Sequence, residues 1–143
     1  MSRRIWLVTA AIVVVAIVVG GVTGFVLHRQ HERPPQVAAG LYRFPATPHS
    51  DGRNPTYPPN VTVDGTPLLG LVDSISDGRA DVQVKVGPLP TGTAADARTT
   101  AHRELAVGQH MTVSGFVITL VRVWQMPNAD HNAVDVRITR AAT

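Results

Sequence analysis

The run from Ile5 to Leu27 contains no charged residue and constrains this chain more than any other feature. At about 1.5 Å per helical residue it is long enough to cross about 30 Å of hydrocarbon with some tilt. The expectation is a single transmembrane helix at residues 5–27, acting as a signal-anchor behind a short tail at residues 1–4. Arg3 and Arg4 precede it and His28, Arg29, His31 and Arg33 follow, so the flanking charges orient the span only weakly. A short tail with two arginines favours a cytoplasmic N-terminus, which makes everything after residue 27 extracytoplasmic and the localisation a cell membrane. The rival reading is a cleaved signal peptide, with Val22 and Gly24 before Phe25 as small residues at a cleavage site. The apolar run is longer than a usual signal-peptide core. Gly20 and Gly24 lie four apart on one helix face with Ala16 a turn earlier, so a second helix has room to approach closely. They are the helix-packing candidates, for a homo-oligomer or another membrane protein, although glycine is common in membrane helices without that role.

Residues 28–60 change character. Pro34, Pro35, Pro45, Pro48, Pro55, Pro58 and Pro59 remove backbone donors and favour extended chain, so the segment reads as a Pro-rich extracytoplasmic linker. Tyr42, Phe44 and Tyr57 are aromatic exceptions within it, and either pack on the following domain or face a partner.

From Val61 to Thr143 the period is two, which marks a small β domain. Asp64-Gly65 and Asp77-Gly78 fall between apolar runs, a hairpin signal because such pairs accept positive φ. Val82, Val84 and Val86 alternate with Asp81, Gln83 and Lys85; Val134, Val136 and Ile138 alternate with Asp135, Arg137 and Thr139. Both patterns predict strands with one wet face. Met111 and Val113 form a short strand turned by Ser114 and Gly115. Phe116 to Trp124 then reads as a central strand covered on both sides, with Val121 in its interior. Gly87 to His102 reads as a long polar insertion. The expected fold is mainly β, a meander of about six strands forming a small antiparallel sandwich or partly open barrel.

Charge adds a partner expectation. The chain carries 13 basic and 10 acidic residues, but residues 61–143 hold seven basic against eight acidic. The excess therefore sits in the tail and linker, where it suits the head groups of a lipid bilayer and not a nucleic-acid groove. The absence of cysteine excludes a disulfide framework and a thiol nucleophile. Ser50, Ser74, Ser76 and Ser114 lie in no nucleophile motif, and there is no phosphate-binding loop, dinucleotide fingerprint or H-E-x-x-H. His28, His31 and His49 fall in the linker, without a rigid frame to fix a metal. No catalytic, cofactor-binding or metal-binding residue is assigned, and no cofactor is expected. The leading expectation is a non-catalytic, membrane-anchored envelope protein whose β domain binds a partner or scaffolds a membrane complex. The alternative is a small extracytoplasmic hydrolase or metal-dependent protein using His102, His110 or His131 with Asp130.

The stretch from Arg103 to Thr139, "RELAVGQHMTVSGFVITLVRVWQMPNADHNAVDVRIT", has a pattern in Leu105, Val107, Gly108, Gly115, Val134, Val136 and Ile138. It resembles small extracytoplasmic β domains of actinobacterial membrane-anchored envelope proteins. His110 and Met111 depart from that pattern. The matching positions are structural, so the resemblance implies a fold and a location but no site residue.

Overall fold

The computed structural model describes residues 21–22, 26, 28–46, 61–92 and 95–142. Gly20, Gly24 and nearly all of the expected membrane span lie outside these residues. Among the described residues no helix is long and apolar enough to cross a membrane. The chain divides into two compact units, Met1–Glu32 and Arg33–Thr143; Gly21, Val22, Val26 and residues 28–30 of the first are helical.

The second unit is mainly β. Its strands are β1 (Tyr42–Pro45), β2 (Val61–Val63), β3 (Thr66–Ser76), β4 (Arg79–Val86), β5 (Thr99–Ala106), β6 (His110–Val113), β7 (Phe116–Trp124) and β8 (Ala133–Arg140). They form two four-stranded sheets, β1-β8-β7-β6 and β2-β3-β4-β5, every strand pair being antiparallel. The sheets are separate and make no closed barrel.

Three two-residue turns set the registers. Asp64-Gly65, Asp77-Gly78 and Ser114-Gly115 all have positive φ at both positions, the backbone of type I′ turns, whose twist matches that of paired strands. Once a turn fixes the register, alternation decides which side chains go inward. Leu68, Val72, Val82, Val84 and Leu105 from one sheet share a buried cluster with Phe116, Ile118, Leu120, Val134 and Val136 from the other. The chain changes sheets between β5 and β6, where Gly108 N donates to Leu120 O at 2.8 Å and Leu120 N donates to Gln109 O at 2.9 Å.

Four features differ from the sequence reading. The domain begins before Val61, because β1 comes from the segment read as a linker. β1 pairs with β8 and puts Phe44 in the core at 1% exposure. Pro45 is tolerated there because β1 is an edge strand, with one side of its backbone unpaired. The polar insertion ends at Arg98, since Thr99–Ala106 is an edge strand in which only Leu105 is buried. Its inner face is dry at Leu105 and half-covered at Ala101, with exposed Arg103 between them, so it shows no clear alternation.

In β7 the register slips between Leu120 and Arg122. Val121 is therefore the extra residue of a bulge and only half-buried. The strand is interior to its sheet, as expected, but Val117 and Thr119 on its second face are half-covered, not enclosed. Finally, Asp135 lies on the outer face of β8 as the alternation requires, yet is only 1% exposed.

Candidate functional site

The histidines singled out in the sequence do not meet. His102 sits on the outer face of β5, opposite Gln83 of β4. His110 sits on the outer face of β6 in the other sheet, opposite Thr119. His131 ends a single 3₁₀ turn, Ala129–His131, between β7 and β8. That turn is held by Asn128, whose side chain accepts from Asp130 N at 3.0 Å, and by Asn132, which accepts from Met126 N at 2.7 Å. Asn128 and Asn132 of "PNADHNA" thus serve backbone conformation.

His102 instead meets two carboxylates that the sequence did not place beside it. Its Nε2 lies 2.8 Å from Asp81 Oδ1 and 3.2 Å from Asp73 Oδ2. The register explains the gathering. Asp81 is directly opposite Glu104, a like-charge pair that repels. His102 stands two residues along β5 on the same face, within diagonal reach of Asp81. Arg79 takes the other carboxylate, at 3.1 Å from Glu104.

Asp73 joins through a bulge: β3 slips between Val72 and Ser74, leaving Asp73 as the extra residue. One oxygen from each aspartate and a nitrogen of His102 lie within 4.8 Å of one another. Two carboxylates and an imidazole are ligands that a divalent transition metal accepts. The His102 side chain is 49% exposed, so the cluster lies open to water. A concavity of about 240 Å³ adjoins it, lined by Val72, Asp73, Ile75, Ala129 and Asn132 among others.

The outer face of the β1-β8-β7-β6 sheet is organised around a buried charge. Asp135 accepts from Arg43 Nε at 2.7 Å and Nη2 at 3.0 Å, a two-point match of guanidinium and carboxylate. Trp124 Nε1 donates to the same carboxylate at 2.8 Å, and Arg43 Nη1 also donates to the carbonyl of Pro35. Arg43 and Arg122 lie over the Trp124 ring at 5.6 and 5.2 Å, where its negative π face attracts them. Cross-strand rows complete the face: Arg43, Asp135 and Arg122 in one, Arg137, Thr119 and His110 in the next.

A third cluster lies in the segment before β5. Asp96 takes Arg98 Nε at 2.8 Å, Arg98 Nη2 at 2.7 Å and Lys85 Nζ at 3.2 Å. The side-chain hydrogen bonds from Arg98 hold the Asp96 carboxyl far below the ordinary carboxylate range. The same contact pushes the Arg98 guanidinium up.

Compared with known proteins, the chain matches no family model, no curated protein and no solved structure.

Proposed function

We propose that this chain is a non-catalytic, single-pass membrane-anchored envelope protein whose extracytoplasmic β domain binds a partner or scaffolds a membrane complex. One observation carries the reading: an uncharged run of membrane-crossing length, Ile5 to Leu27, stands ahead of a separate compact β unit. The Arg43–Asp135–Trp124 contacts stiffen one outward face of that unit, and a stiff face is what a binding module presents. The resemblance of residues 103–139 to actinobacterial envelope domains agrees with this placement. The test is affinity purification of the full chain from native membranes after mild detergent extraction. The same proteins should co-purify with the wild-type chain in repeated preparations and be lost when the β domain is exchanged for an unrelated one. A chain extracted from membranes by alkaline carbonate would overturn the anchoring.

A second reading rests on the Asp73, Asp81 and His102 set, whose donor chemistry suits a divalent metal. A metal that binds only the native state must raise its melting temperature. A zinc-dependent rise abolished by His102→Ala and by Asp73→Asn would favour a metal-dependent protein over the first reading.

A further inference from the structure

The β domain is close to neutral as a whole, but its two outer faces balance their charge differently. On the β2-β3-β4-β5 sheet Asp73, Asp81 and Glu104 point outward among cations that have partners, Arg79 pairing with Glu104 and Lys85 with Asp96. Among the described residues, Asp135 is the one carboxylate in the strands of the β1-β8-β7-β6 sheet, buried and matched by Arg43, while exposed Asp130, in the turn before β8, lines a concavity with Arg43. Arg122 and Arg137 remain exposed on that face, and neither has an ion pair among the described residues. Arg122 is opposite Asp135 and Arg137 is two residues further along β8, so the two guanidinium groups are diagonal neighbours. Thr112, Thr119 and Thr139 lie around them on the same face.

We infer that this face docks on the phosphate-bearing surface of an anionic lipid bilayer, the one to which the chain is tethered. The inference rests on the anchored reading above. Charge complementarity is the first argument: exposed arginines gain attraction near an anionic lipid surface. Covalent reach is the second. The Pro35 carbonyl is held by Arg43 on this very face, so only residues 28–34 separate it from the end of the uncharged run. They span at most about 25 Å. A tether that short keeps the bilayer at high effective concentration, and weak contacts then suffice. A second copy, offering the face that bears Asp73 and Asp81, is the competing occupant. That contact is heterologous and does not close into a symmetric pair.

The chain has no cysteine, so single probes can be placed at will. Full-length protein carrying a fluorophore on Thr112→Cys reports the basic face, and Thr100→Cys, on the outer face of β5, is the control. Both are reconstituted in vesicles containing head-group nitroxide lipid, either pure phosphatidylcholine or with added phosphatidylglycerol. The expected result is quenching at position 112 in anionic vesicles only, none at position 100, and loss of the effect in high salt. Arg122→Ser and Arg137→Ser should each lower the docked-to-free ratio about fivefold, while the lysine variants keep it. Equal quenching in both lipids, or quenching that survives Arg122→Glu with Arg137→Glu, overturns the docking. So does energy transfer between chains labelled at position 112 and chains labelled at position 100 that rises with protein density, the mark of a second copy. If alkaline carbonate strips the chain from the vesicles, the anchoring fails and the docking argument with it. A chain that resists carbonate but shows no lipid-dependent quenching overturns the docking alone.

Discussion

The ring of Phe44 lies against Gly70, leaving no room for even a single side-chain carbon on the glycine: a Cβ there would sit closer to three ring atoms than real contacts allow. Phe44 comes from an edge strand of one sheet and Gly70 from an interior strand of the other. The pair therefore fixes how β1 enters the core. Gly70→Ala should destabilise by about 1–3 kcal/mol through overpacking, and Phe44→Ala by about 3–5 kcal/mol through the cavity it leaves. The two should not add. With Phe44 already truncated, Gly70→Ala should cost little, and a double-mutant cycle by denaturant unfolding measures that coupling.

The same contact sets the boundary of the folding unit. A chain begun at Val61 lacks β1, leaves one edge of β8 unpaired and empties the Phe44 site. Residues 33–143 should give a β-type circular dichroism spectrum and a single cooperative melt, whereas residues 61–143 should melt far lower or not cooperatively.

Asp135 and Val121 exchange the roles their sequence positions suggest. Asp135→Asn removes a buried carboxylate from Arg43, whose side chain is itself only 22% exposed, and should cost about 3 kcal/mol. Val121→Asp places its charge at a half-buried bulge, where water can reach it, and should cost less. Urea unfolding of the two variants gives the ranking directly.

Asp96 makes the domain acid-sensitive in a defined window. Its carboxyl is held down in the folded state relative to an ordinary value of 3.8. The ionised form is therefore the stabilising one, and its contribution is complete above about pH 4 and lost as pH falls below it. The melting-temperature gap between wild type and Asp96→Asn should be largest near neutral pH and shrink steadily below pH 4. Because Asp96 is partly exposed, added salt should also narrow the gap.

Legibility followed the wet–dry pattern. The Asp-Gly and Ser-Gly turns, the Val82–Val86 alternation and the hairpin of β6 and β7 were readable because turn chemistry and period two agree there. β5 was not, since an edge strand whose inner face carries exposed Thr99 and Arg103 beside buried Leu105 shows no clear period. β1 was hidden because four residues among prolines are too few to show one. Missing β5 also concealed the candidate cluster: without the register of β4 on β5, nothing put His102 beside Asp81, and no local signal announced the bulge at Asp73. Asp135 was misjudged for a related reason. Alternation tells which face a residue is on, but its cover comes from Arg43, far away in the sequence, and from Trp124 across the sheet.

Because β1 is the first strand and lies at the edge of its sheet against β8, any pull arriving from the N-terminal side enters the β domain there. Tension would strain a four-residue ladder, the Arg43–Asp135 clamp and the Phe44 ring seated over Gly70 before it reached the six other strands that follow β1 ahead of β8. Those contacts act as a mechanical fuse: under force, β1 should peel away first.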